Sequence, residues 1–125
     1  MLHFIRVIIT LVLFTSLASH GKDTDILKIY NQFTAVSAAS GKCLTPSKKE
    51  LNSFLANYKM ITTLMYQEIR KRKPDFNKEQ INKAIVIGSN KVTAAVYNVI
   101  ETESCNSPKI QDLIKRFHVQ AKWKP

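Results

Sequence analysis

Apolar residues recur at steps of three and four along most of the chain beyond residue 23, which is the spacing of one face of an α-helix. The pattern predicts four helices. The first covers about residues 24–40, with Asp23 or Thr24 as its cap. Gly41 suits the left-handed residue just beyond its end, and Cys43 then falls in the connection that follows.

The second helix has two start signals in succession. Thr45 is followed by Pro46, and the segment from Ser47 to Glu50 fits a capping box. The apolar stripe of this helix consists of Leu51, Phe54, Leu55, Tyr58, Ile61, Thr62, Met65 and Ile69. Pro74 disfavours helical backbone at the residue before it, so the helix ends by Lys73.

Asn77, with Gln80 three residues later, opens a third helix over about residues 78–103. Gly88 falls in phase with its apolar stripe, so we expect the helix to continue through this glycine and to approach helix 2 closely there. The stripe comprises Ile81, Ala84, Ile85, Gly88, Val92, Ala95, Val96, Val99 and Ile100. A shorter fourth helix starts at Asn106-Ser107-Pro108, and its inner face is Ile110, Leu113, Ile114 and Phe117.

The only two cysteines, Cys43 and Cys105, lie at equal distances on either side of Pro74. Two helices of similar length that fold back at the proline would bring Cys105 beside Cys43. The sequence therefore predicts an all-α fold, a small four-helix bundle built on a long antiparallel helical hairpin with one disulfide. Two free thiols are the alternative.

The first residues have the features of a secretory signal peptide. Arg6 precedes an apolar run over residues 7–14, and small residues stand at Ser16 and Ala18. The run is too short for a good membrane span. We therefore predict a signal peptide over residues 1–18 and a single helical domain over residues 19–125, exported to the periplasm, or to the extracellular space outside Gram-negative bacteria. A retained N-terminal anchor is the alternative.

The chain has a net charge of +10, and loss of Arg6 with the signal peptide leaves +9. Cations cluster at the turn of the hairpin, and others surround the single tryptophan in the tail. The candidate partner-binding residues are Arg70, Lys71, Arg72, Lys73, Lys78 and Trp123. The structural alternatives are a solvated surface that complements the helix dipole, and a tail tryptophan that closes the core. An exported chain without interleaved aromatic residues is a poor candidate for nucleic-acid binding.

Residues able to support catalysis are few. Beyond residue 18 the only histidines are His20 and His118, and no zinc-protease, calcium-loop or phosphate-cradling motif is present. The carboxylates are scattered rather than paired. The sequence therefore predicts a protein that is not an enzyme and that carries no metal ion or cofactor. A Ser–His arrangement that uses His118 is the catalytic alternative.

The signal segment, the two cysteines that flank a long helical hairpin and the short fourth helix together resemble the periplasmic immunity proteins of type VI secretion systems. The resemblance implies a protein partner, a peptidoglycan-degrading toxin with an acidic cleft, whose muramidase or amidase site the chain would occlude. Some such proteins dimerise, so a homodimer is left open. Alternatives are a periplasmic acid-stress chaperone, a cationic protein that binds an anionic membrane or cell-wall surface, and a eukaryotic secreted helical factor.

Overall fold

A computed structural model describes residues 25–124, and within that range the chain forms four α-helices and no β-strand. They are α1 (Asp25–Cys43), α2 (Lys48–Arg72), α3 (Lys78–Glu103) and α4 (Pro108–Lys122). The predicted all-α bundle is confirmed. The predicted signal peptide, the caps proposed for the first helix and His20 lie outside the described residues.

Helix α1 lies at the centre of the bundle and packs against all three other helices. The two long helices, α2 and α3, contact each other less than each contacts α1. The central position explains why α1 is buried on several sides, at Tyr30, Phe33, Thr34, Val36, Ala38, Ala39 and Ser40. The hairpin is therefore stabilised mainly through the helix that precedes it.

Aromatic rings fill the core where α1, α2 and α4 meet. The ring centroid of Phe54 lies 4.8 Å from that of Phe117 and 5.6 Å from that of Phe33. Phe54 and Phe117 are almost completely buried, and burial of such a side chain typically stabilises the fold by about 1.5–3 kcal/mol. A second buried cluster joins the C-terminal parts of α1 and α3 to the start of α4, and it consists of Ala38, Ala39, Val96 and Ile110.

The predicted disulfide between Cys43 and Cys105 is confirmed. Their Cα atoms are 5.6 Å apart, and the bond closes a loop across 62 residues of sequence. It joins the last residue of α1 to the connection between α3 and α4. The disulfide thus ties together the ends of the helices that lie farthest from the hairpin turn.

The end predicted for the first helix was wrong. Helix α1 continues through Gly41 to Cys43, and no described glycine adopts a positive φ. Of the two predicted start signals of α2, the one at Ser47 is confirmed and the one at Thr45 is not: Ser47 is the N-cap, and its hydroxyl accepts a hydrogen bond from the backbone N–H of Glu50 at 3.2 Å. In this last turn Ser40 is buried and Cys43 packs against the second core cluster, and such tertiary contacts supply most of the stability of a helix.

The start and the length of α3 were predicted correctly. Asn77 and Gln80 form a complete capping box, with both hydrogen bonds at 2.9 Å, and the helix runs unbroken through Gly88. The expected close approach at Gly88 was wrong, because a Cβ atom placed there would meet no atom within 4 Å. Helix α1, rather than α2, supplies most of the surface against which α3 packs.

Two leucines of the predicted α2 stripe lie on the surface. Leu51 is 37% exposed and Leu55 is 47% exposed, whereas Phe54 between them is buried. Ala84 and Ala95 of the predicted α3 stripe are also exposed. Each predicted stripe therefore included residues at its edge that the neighbouring helices do not cover. At Leu51 and Leu55 the consequence is an apolar surface without a covering element among the described residues.

Candidate functional site

The hairpin tip, defined here as residues 70–79, contains five of the six predicted partner-binding residues. It comprises the last turn of α2, a short turn through Pro74 and the first turn of α3. Every residue of the tip is exposed. The tip carries five cationic side chains and two carboxylates, those of Asp75 and Glu79. It is therefore a positively charged protrusion at one end of the bundle.

Hydrogen bonds hold the tip backbone in one conformation. The Lys73 N–H donates to the carbonyl of Ile69 at 2.8 Å and closes α2. The Phe76 N–H donates to the carbonyl of Lys73 at 3.0 Å, and the Asn77–Gln80 capping box starts α3 directly afterwards. A turn fixed in this way loses little conformational freedom when it binds a partner.

The helix dipole explains part of the basic cluster. Arg70, Lys71 and Arg72 occupy the last turn of α2, where positive charge complements the C-terminal end of the dipole. Arg72 also pairs with Glu68, with Nε 2.9 Å from Oε1. Lys78 stands instead at the first residue of α3, where the dipole disfavours a cation. Helix stability therefore does not account for a lysine at position 78. A positively charged surface shared with the α2 cations does account for it.

Phe76 was not identified from the sequence. It lies in the turn between Lys73 and Lys78, and it is 37% exposed. The available signal was an aromatic residue between two predicted helices that belongs to the apolar stripe of neither. Such a residue is not part of a helical core face. The tip thus presents a phenylalanine together with arginines, and both residue types are enriched in protein interfaces.

A shallow hollow of about 340 Å³ lies beside the tip. Ile26 at the start of α1, together with Leu64, Gln67, Glu68 and Lys71 of α2, lines it. The first described turn of the chain therefore lies at the same end of the molecule as the tip.

Trp123, the sixth predicted partner-binding residue, lies elsewhere. Its backbone carbonyl accepts a hydrogen bond from the Asn57 side chain at 2.9 Å, and its ring centroid lies 6.3 Å from that of Phe33. Asn57 precedes Arg70 by thirteen residues of α2, which is about 20 Å along the helix axis. Trp123 packs on the core edge and is 39% exposed, so the structure does not bring it to the tip.

The groups considered for catalysis have structural partners. Nδ1 of His118 lies 2.9 Å from a carboxylate oxygen of Glu50, and the contact joins α4 to the first turn of α2. Tyr58, which was not a catalytic candidate, shares a hydrogen bond of 2.7 Å with Thr34, and burial raises its pKa to about 12, so its phenolate forms less readily than that of an ordinary tyrosine. Among residues 25–124, no group of three or more His, Cys, Asp or Glu side chains is placed to hold a metal ion.

Comparisons with known proteins do not assign the chain to a family. No protein-family model, no curated protein and no solved structure matches it. Within the described part of the chain, none of the helices combines the length and apolar character that crossing a membrane requires.

Proposed function

We propose that this chain is an exported binding protein that inhibits a peptidoglycan-degrading muramidase or amidase by placing its hairpin tip in the active-site cleft. It would act as an immunity protein of the kind that type VI secretion systems require. The observation that carries the proposal is Phe76, exposed among five cations on a turn whose backbone is fixed by hydrogen bonds.

The chemistry of the partner favours a cationic inhibitor. Glycoside hydrolysis commonly uses two carboxylates that face each other across a cleft, so a muramidase offers an anionic cavity. Arg70 at the tip can donate paired hydrogen bonds to a carboxylate, and lysines add charge that speeds the encounter. Phe76 would bury its ring against the cleft wall, in a position that a sugar ring otherwise occupies.

The proposed compartment agrees with the covalent structure. Disulfides persist in the periplasm and outside cells, where a wall-degrading toxin acts, and the Cys43–Cys105 bond stabilises a small bundle there. The bond lies at the opposite end of the hairpin from the tip. A partner could therefore cover the tip without contact with the disulfide.

The test is direct inhibition. The oxidised protein, without residues 1–18, is mixed with a panel of purified bacterial muramidases and amidases, and the rate of peptidoglycan solubilisation is measured. We expect tight, nearly stoichiometric inhibition of at least one enzyme.

A parallel assay measures binding to phosphatidylglycerol vesicles. Binding to the vesicles alone, lost at high salt, would overturn the immunity proposal in favour of an anionic-surface binder, and inhibition of no enzyme would also overturn it.

A further inference from the structure

A second surface, at the disulfide end of the bundle, has features of a binding site that is separate from the tip. A groove of about 260 Å³ opens between the C-terminal part of α1 and the N-terminal part of α2. Leu44, Leu51, Leu55 and Phe117 give it apolar walls, and Ser37 and Ser40 add hydroxyl groups. We call this the α1–α2 groove.

The size of the groove indicates what could occupy it. Pockets for drug-sized ligands typically measure about 300–1,000 Å³, so this groove is smaller than most of them. A space of this size holds one or two large apolar side chains. Its walls continue onto the exposed parts of Leu51 and Leu55, which widens the apolar surface beyond the cavity itself. An occupant that covered the whole surface would therefore be a polypeptide segment rather than a small molecule.

Lysines stand at both ends of this apolar surface. On a helix, residues three and four apart are neighbours, so Lys48, Leu51, Leu55 and Lys59 form one row along α2. The row runs from Lys48 to Lys59, and these eleven steps of the helix span about 16 Å. Glu50, the acidic residue in the first turn of α2, is directed elsewhere because its carboxylate contacts His118 of α4. The charges along the row are therefore positive.

The floor of the groove contains an unpaired polar group. The Ser40 hydroxyl is buried and finds no hydrogen-bond partner among the described residues, and the residue as a whole is only 5% exposed. Buried hydroxyl groups usually have a partner. Neighbouring atoms cover the hydroxyl, so an occupant of the groove would bring it an acceptor only after a small shift of the groove wall.

From these features we infer that the α1–α2 groove binds an acidic amphipathic helical segment of a partner protein. Leucine or phenylalanine side chains of the segment would enter the groove, and its acidic residues would meet Lys48 and Lys59. Helix-in-groove recognition of this kind uses apolar anchors at helical spacing. The inference goes beyond the proposed toxin inhibition and does not depend on it, because the groove and the tip lie at opposite ends of α2.

The experiment uses a synthetic amidated peptide of about eleven residues, with leucines along one helical face and glutamates at both ends. A second peptide has lysine in place of each glutamate. Backbone amide shifts of the isotope-labelled, oxidised protein are followed by NMR during titration. We expect the glutamate peptide to shift Leu51, Leu55 and the residues around Ser40, to bind more weakly at higher salt, and to bind better than the lysine peptide.

Matched variants test whether the peptide binds at the α1–α2 groove. Leu55 and Leu64 are nine residues apart, hence on opposite faces of α2, and they are 47% and 42% exposed. Leu55→Asp is expected to weaken peptide binding about tenfold, as loss of an interface anchor does, whereas Leu64→Asp leaves it unchanged. Equal binding of the two peptides, equal effects of the two variants, or shifts confined to the hairpin tip would each overturn the inference.

Discussion

Tyr58 of α2 and Thr34 of α1 share a hydrogen bond of 2.7 Å inside the bundle. The Thr34 hydroxyl donates its hydrogen to the carbonyl of Tyr30 at 2.9 Å, so the phenol of Tyr58 must be the donor to Thr34. Burial is the main cause that opposes ionisation, and it raises the pKa of Tyr58 from about 10 to about 12. The Thr34 hydroxyl acts in the opposite direction, because it can turn to donate to the phenolate.

The raised pKa predicts a loss of stability in strong base. Above pH 10 the unfolded chain releases the Tyr58 proton while the folded chain retains it, so the free energy of unfolding falls as pH rises. The contribution is fully present below pH 10 and is lost as pH rises to about 12. Urea unfolding of the wild type and of Tyr58→Phe, compared across this range, isolates the effect from that of the other titrating groups.

In Tyr58→Phe the Thr34 hydroxyl keeps its bond to Tyr30, so we expect a loss of about 1 kcal/mol near neutral pH. The difference between the wild type and this variant should shrink between pH 10 and 12. Tyr97→Phe, which removes a phenol that is 37% exposed, is the control. A difference that stays constant over the range would show that Tyr58 ionises equally easily in the folded and unfolded chains.

The disulfide should supply a large part of the stability. Loss of a cross-link that closes a loop of 62 residues costs roughly 4 kcal/mol in the chain-entropy model. The double variant Cys43→Ser with Cys105→Ser is expected to unfold at much lower urea concentration. Equilibrium unfolding followed by circular dichroism measures the change. A loss below about 1 kcal/mol would mean that residual structure already restricts the unfolded chain when the disulfide is absent.

Gly88 offers a stabilising substitution. It lies in the interior of α3, and a Cβ atom placed there would contact nothing within 4 Å. Alanine is preferred over glycine in a helix interior by about 1 kcal/mol. Gly88→Ala should therefore raise the free energy of unfolding by about that amount in thermal or urea unfolding. Destabilisation would instead indicate that another helix approaches α3 closely at this position.

Phe76 should affect binding more than folding. The residue is 37% exposed, so most of its surface is already covered, and Phe76→Ala is expected to lower the free energy of unfolding by about 1 kcal/mol. Affinity for an enzyme that the wild type inhibits should fall about tenfold or more. Val86→Ala, which truncates an exposed apolar residue of α3, is the control for calorimetric titration. Similar affinities of the two variants would exclude Phe76 as an anchor.

The parts of the fold set by local chemistry could be predicted from the sequence. The Asn77–Gln80 capping box, Pro74 and the two cysteines determine the ends of helices and one covalent bond, and all were identified correctly. The extension of α1 through Gly41 and the surface position of Leu55 depend on how helices pack. Periodicity identifies the apolar face of a helix, but it does not tell how much of that face a neighbour covers.

The residues of the candidate site also divide into those that local sequence locates and those whose position depends on packing. The cations of the tip could be located because a turn at Pro74 places them together. Phe76 was missed because an isolated aromatic residue has no periodic pattern, and its exposure becomes clear only when the turn is built. Trp123 was grouped with the cations by composition, whereas the Asn57 hydrogen bond holds it on the core edge.

The central claim is that the hairpin tip is the inhibitory surface. The decisive measurement is the inhibition constant of Arg70→Glu with Lys73→Glu against an enzyme of the panel that the wild type inhibits. Arg72 is left intact because it pairs with Glu68. Lys91→Glu with Lys115→Glu, exposed on α3 and α4, gives the same net charge and is the matched control.

We predict that the tip variant weakens inhibition about hundredfold, as loss of charged contacts in a cleft does, while the control stays near the wild-type value. Both variants should keep the wild-type helix content and unfolding midpoint. Equal inhibition by the tip variant and the wild type would contradict the account. Equal weakening by both variants would also contradict it, because net charge rather than the tip would then determine inhibition.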